Sequence, residues 1–87
     1  MTKYRFKFEI LFNIDHVRFE EIERDFKDDE EAKRNIAAIE KEMRTNINKD
    51  VEVFYRSTIV FLSLTRIEQP AVPEKSVEII SKEVHFA

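Results

Sequence analysis

The residues that could do chemistry are few and lie far apart along the chain. The two histidines are His16 and His85, and the serines stand at positions 57, 63, 76 and 81. No spacing groups a serine with a histidine and a third residue, as nucleophilic catalysis requires. Cysteine and glycine are absent, which excludes thiolate chemistry, Cys-ligated zinc and glycine-dependent phosphate loops. We therefore expect no enzyme, no metal site and no cofactor.

Acidic residues are concentrated in one segment. Residues 13–31 carry nine acidic and three basic side chains, a local charge of −6 in a chain whose net charge is −3. A solvated helical face is the ordinary interpretation, because Arg24 and Lys27 dilute the run. The functional interpretation is an electrostatic docking surface for a basic protein partner. Its members would be Glu20, Glu21, Glu23, Asp25, Asp28 and Asp29.

Basic and aromatic residues alternate at the start of the chain: Lys3, Arg5 and Lys7 with Tyr4, Phe6 and Phe8. Nucleic-acid-binding platforms use both kinds of residue together. In a strand, however, alternation sends the aromatic rings to one face and the cations to the other. The rings are then expected in the core, and Lys3, Arg5 and Lys7 form a nucleic-acid face only as an alternative function.

The elements that must position these residues follow from periodicity. A period of two predicts a strand over residues 4–12. Stripes at helical spacing predict helices over about 16–27 and 29–47, or one helix kinked near its cap candidate Asp28. Residues 51–67 read as two strands or one long bent strand, and a last strand is expected at about 76–86 after a loop with Pro70 and Pro73. The order β-α(α)-β-β-β predicts a single α+β domain over 1–87, an antiparallel sheet with one long or broken helical segment on one face.

The apolar stripes also predict the core. Its expected members are Phe6, Phe8, Ile10, Phe19, Ile22, Ile36, Ile39, Met43, Val53, Val60 and Leu62. The run from Ile59 to Leu64 is apolar on both faces of its strand. That pattern fits a central strand closed by curvature or by the last strand, or a subunit interface. The second interpretation predicts self-association through Ile59 and Phe61 as a two-fold dimer.

These observations favour a non-enzymatic protein-interaction domain that acts stoichiometrically as a regulator, adaptor or inhibitor. Small acidic inhibitors that phages direct against host nucleases or defence complexes share this compositional profile. The alternative is a small nucleic-acid-associated domain. Hydrophobic residues at 43% and charged residues at 38% argue for a folded chain. The absence of cysteine, of a visible signal peptide and of a long apolar run predicts a cytoplasmic protein without a membrane partner.

Overall fold

The computed structural model describes residues 1–13, 16–50 and 58–82. In chain order the elements are β1 (Thr2–Asn13), β2 (His16–Phe26), α1 (Asp29–Arg34), α2 (Ile36–Asp50), β3 (Thr58–Gln69) and β4 (Lys75–Ser81). The four strands form one sheet in the order β2-β1-β3-β4, and each neighbouring pair is antiparallel. The helices lie between β2 and β3 in the chain. The predicted α+β class with an antiparallel sheet is confirmed.

Strand β1 lies at the centre of the sheet and supplies the core. Its apolar residues Tyr4, Phe6, Phe8 and Ile10 alternate with charged ones, and each is at most 1% exposed. They pack in one cluster with residues of the two helices, which are Ala32, Ile39 and Met43. Both helices therefore cover the same face of the sheet, as alternation in β1 predicts.

The helix predicted over 16–27 is wrong, because these residues form strand β2. Phe19, Ile22 and Phe26 have helical spacing, but Ile22 and Phe26 are also four apart and share one face of a strand. In β2 both of them pack on the core, whereas Phe19 lies on the opposite face and is 60% exposed. The described elements thus run as two strands, two helices and two strands, instead of one strand followed by helices.

The predicted helix over 29–47 is present as two shorter helices. Asp28 caps α1, as expected, and its carboxylate accepts a 2.9 Å hydrogen bond from the Glu31 N–H. Asn35 ends α1, and its side-chain amide donates to the Glu31 carbonyl at 2.8 Å. Helix α2 begins at Ile36 and brings Ile39 and Met43 onto the sheet.

A bulge in β3 explains why the sequence there is apolar on both faces. The pairing with β1 shifts between Ser63, opposite Lys7, and Phe61, opposite Phe8, which leaves Leu62 as the extra residue. The bulge places Ile59, Phe61 and Leu64 together on the core. Val60, which was predicted in the core, is 38% exposed instead.

Some predictions fall outside the described residues. They include Val53 in the expected core, the first part of the strand or strands predicted over 51–67, and the end of the last strand with His85. Within the described part, residues 58–69 form one strand, and β4 has an irregularity where Leu64 pairs with Ile80 and Thr65 with Glu78.

Candidate functional site

The face of the sheet that the helices leave uncovered is the first candidate surface. We call it the helix-free face; its side chains in β1 and β2 are Lys3, Arg5, Lys7, Glu9, Leu11, Val17, Phe19, Glu21, Glu23 and Asp25. They belong to one face because directly opposed residues of an antiparallel pair point the same way, and because their neighbours in β1 form the core. By the same rule the face continues into β3, where Ile67, Thr65, Ser63 and Val60 lie opposite Lys3, Arg5, Lys7 and Glu9.

Two columns of opposite charge run side by side on the helix-free face. The basic column is Lys3, Arg5 and Lys7 in β1, and the acidic column is Asp25, Glu23 and Glu21 in β2, opposed in that order. The candidate nucleic-acid face therefore has a carboxylate opposite each of its cations. The result is a surface of paired charges instead of a continuous basic one.

Arg5 is the centre of these charges. Its guanidinium lies 2.9 Å from a Glu23 carboxylate oxygen and 2.6 Å from a Glu74 oxygen, with Glu21 at 3.6 Å. The hydrogen bonds with Glu74 and Glu23 raise the pKa of Arg5, and the one with Arg5 lowers the pKa of Glu74. Arg5 thereby ties the segment before β4 to the helix-free face.

Exposed apolar side chains lie at one end of the same face. Val17 and Phe19 are 45% and 60% exposed, and Val60, opposite Glu9, is 38% exposed. The Lys7 ammonium lies 5.6 Å from the centroid of the Phe19 ring, within the range of a cation–π contact. The sequence reasoning missed this patch because it assigned Phe19 to the buried stripe of a helix. Phe19, Glu21, Glu23 and Asp25 follow one another at a spacing of two, which would place them on one face of a strand, and this was the signal that could have found the patch.

The predicted acidic docking surface is divided by the fold. Glu21, Glu23 and Asp25 share the helix-free face, but Glu20 lies on the other face of β2, in an ion pair with Arg18. Asp28 and Asp29 stand at the start of α1, where Asp28 caps the helix. Three of the six candidates are therefore together on one surface.

Asp29 joins the first helix to the sheet. The Tyr4 hydroxyl donates to one carboxylate oxygen of Asp29 at 2.6 Å, and Arg66 donates to the other at 2.6 Å. Burial and the hydrogen bond to Asp29 raise the pKa of Tyr4 to about 12. The hydrogen bonds from Tyr4 and Arg66 lower the pKa of Asp29. Tyr4 therefore stays protonated and Asp29 charged near neutral pH, which suits a structural clamp better than proton transfer.

Ile59 and Phe61 do not lie on an open surface. They are 6% and 8% exposed and belong to the core cluster under the helices. The expectation that they would form an uncovered apolar face is wrong. The bulge at Leu62 changes which residues of β3 face the core, so that Ile59 and Phe61 are buried and Val60 is exposed.

A second candidate surface lies on the opposite side of the sheet, between the helices and β4. It is a groove of about 560 Å³, which we call the basic groove. Its apolar walls include Ile36, Ile59, Phe61 and Ile80. Its charged lining residues are Lys33, Arg34, Glu40 and Lys82.

The described residues contain no group of three or more His, Cys, Asp or Glu side chains that could hold a metal ion. Of the helices in the described ranges, none is both long and apolar enough to cross a membrane. Comparisons with protein-family models, with curated proteins and with solved structures find no match to this chain.

Proposed function

We propose that this chain is a protein-interaction domain that acts stoichiometrically, as a regulator, adaptor or inhibitor, and pairs with a second copy through its helix-free face. The observation that carries the proposal is the position of Phe19. This large apolar side chain is 60% exposed on a sheet face that both helices leave uncovered. Exposed aromatic residues of this kind are enriched at protein interfaces and are costly to leave in water.

The charge columns favour a second copy as the partner on this face. A two-fold axis that runs parallel to the strands, above the boundary of β1 and β2, lays β1 of one copy over β2 of the other. The basic column then faces the acidic column of the second copy in both directions. The same operation brings Val17 over Leu11 and Phe19 over Glu9 of the second copy, so the apolar ends of the two faces also meet. The surface is therefore complementary to itself in charge and in polarity.

The nucleic-acid alternative has weaker support. Lys3, Arg5 and Lys7 each lie opposite a carboxylate, and Arg5 is already paired with Glu23 and Glu74. A phosphate backbone would have to compete with those carboxylates and would meet the acidic column beside them. Protein association is the function that this arrangement favours.

The proposal is tested by the mass of the protein in solution. Sedimentation at micromolar concentration is expected to give a dimer for the wild-type chain and a monomer for Phe19→Glu, because the proposed axis places the new carboxylate over Glu9 of the second copy. Val72→Glu is the matched control, since Val72 is 97% exposed and lies in the segment before β4. It should remain dimeric. A wild-type monomer throughout this range would contradict the proposal.

A mixing experiment tests the two-fold arrangement itself. Glu21→Lys places lysine over Lys7 of the second copy, and Lys7→Glu places glutamate over Glu21, so each variant alone repels its own kind. In an equimolar mixture, the two variants are complementary and should form a heterodimer. Two monomeric variants that stay monomeric when mixed would contradict the proposed axis while leaving other modes of dimerisation open to the Phe19 test.

A further inference from the structure

The basic groove combines an apolar interior with an excess of positive charge. Phe61 is 8% exposed and Ile59 6%, so the floor is formed by core residues. Lys33, Arg34 and Lys82 line the groove with a single acidic residue, Glu40. A volume of about 560 Å³ is large enough for one or two large side chains of a bound chain.

The positions of the cations suit an anionic ligand that enters beside an apolar anchor. The Lys82 ammonium lies 5.8 Å from the centroid of the Phe61 ring, so this charge stands directly above the apolar floor. Lys33 and Arg34 lie on the facing side, in the last turn of α1. The Lys33 ammonium lies 3.2 Å from a Glu30 carboxylate oxygen in an exposed ion pair. Exposed pairs of this kind are weak, so Lys33 can still bind an anionic ligand.

We propose that the basic groove binds an acidic segment of a partner protein in which a large apolar residue is flanked by carboxylates. The apolar side chain packs between Ile36, Phe61 and Ile80, and the flanking carboxylates pair with Arg34 and Lys82. The inference is separate from self-association, because the cations of the groove lie outside the charge columns, and Val60 is the one lining residue that the groove shares with the exposed apolar patch. Charge complementarity to three cations against one carboxylate defines the partner as acidic.

The probe is a fluorescently labelled, end-blocked peptide in which one phenylalanine stands between two pairs of glutamates. Its anisotropy should rise on titration with the full chain, and the affinity should fall as salt is added. Two control peptides separate the components of recognition. Replacing phenylalanine by alanine removes the anchor, and replacing all glutamates by glutamine removes the charge. Both should bind at least about tenfold more weakly. Equal binding of all three peptides, or binding of none, would overturn the proposal.

Protein variants locate the site. The double variant Arg34→Glu with Lys82→Glu should weaken peptide binding by about tenfold or more, because two attractive charges become repulsive. Lys41→Glu, an exposed lysine of α2 that does not line the groove, is the matched control and should change affinity by less than about twofold. Arg34→Gln with Lys82→Gln keeps the proposal testable if the double glutamate variant fails to fold. An equal effect of the control would show general charge attraction and overturn the site.

Two further outcomes identify a different occupant. Octanoate supplies one carboxylate on an apolar chain, and displacement of the peptide by an equal concentration of octanoate would assign the groove to a small amphipathic anion. Loss of self-association in the Arg34→Gln, Lys82→Gln variant would assign it to a second copy. Either result overturns the proposal of an acidic protein segment, while retention of the peptide and of the dimer supports it.

Discussion

The Tyr4 hydroxyl is a buried polar group that keeps a hydrogen-bond partner. Tyr4 is 1% exposed, and its hydroxyl donates to Asp29 at 2.6 Å. Asp29 in turn accepts from Arg66, so that α1, β1 and β3 meet at one carboxylate. No buried side-chain nitrogen or oxygen in the described part of the chain is left without a partner. The clamp therefore fixes the position of α1 on the sheet.

Alkaline pH should release this clamp. The pKa of Tyr4 in the folded chain is about 12, above the ordinary value of 10.0. A group whose pKa is raised by folding stabilises the folded state fully when the pH is below its ordinary pKa. This contribution is lost as the pH rises through the pKa of the folded state. The free energy of unfolding should therefore fall between pH 10 and about 12 through this group. The acid side has the opposite sign, since the lowered pKa of Asp29 gives stability that is lost only as the pH falls through it.

Tyr4→Phe isolates the contribution of the hydroxyl. At neutral pH it should cost about 1.5–3 kcal/mol, the usual net value of a hydrogen bond to a charged group. The difference from wild type should shrink from pH 10 to 12, because the hydroxyl no longer favours folding once it ionises. Urea unfolding at a series of pH values measures both effects. The other tyrosine, Tyr55, is present in both proteins and so does not contribute to the difference between their free energies of unfolding. A difference that stays constant with pH would refute the role of this hydroxyl.

At the level of elements, the sequence patterns correctly predicted the strand and the helix start that depend on interactions between neighbouring residues. The alternation of Tyr4, Phe6 and Phe8 predicted β1, and Asp28 with Glu31 three residues on predicted the start of α1. Both signals depend on neighbours in the chain. The strand period and the capping hydrogen bond are complete within a few residues, so no distant contact is needed to recognise them.

Strand β2 could not be predicted this way because its stabilising contacts are distant in sequence. Its charges have favourable helical spacing, such as Glu20 with Arg24, and this local pattern favoured a helix. In the fold the acidic side chains instead oppose the basic column of β1, with Arg5 and Glu23 eighteen residues apart. Cross-strand pairing and burial of Ile22 and Phe26 on β1 override local propensity. The helix-free face was hidden by the same error.

Alanine substitutions at Phe8 and Phe19 test the assignment of β2. Phe8 is 0% exposed and contacts Phe61 edge to face, so Phe8→Ala should lower the free energy of unfolding by about 3–5 kcal/mol. Phe19→Ala, measured where the protein is monomeric, should change it by less than about 1 kcal/mol, because the ring is mostly in water. Equally large losses in the free energy of unfolding for the two variants would indicate that Phe19 is buried in the core and that β2 is a helix.

At the scale of the whole molecule, a four-stranded sheet with one helical layer leaves two different surfaces. The helix-free face has balanced charges in columns and exposed apolar residues at one end. The helix-covered side has a groove between the junction of α1 and α2 and the strands β3 and β4. One sheet thus carries a surface of paired charges on one side and a groove lined by three cations and one carboxylate on the other. A small domain with two such faces can join two copies and present two identical partner sites.

This separation predicts that the two binding events are independent. The basic groove contains no residue of the charge columns, and Phe19 does not line it. Phe19→Glu should therefore lose the dimer and keep its affinity for the acidic peptide within about twofold. Conversely, the Arg34→Gln, Lys82→Gln variant should keep the dimer and lose the peptide. Calorimetric titration of the wild-type protein should give one peptide bound per chain with a single affinity, since Val60 is the one lining residue of the groove that also belongs to the exposed apolar patch. Two unequal affinities, or loss of peptide binding in the monomeric variant, would mean that the dimer contributes to the groove and that the faces are coupled.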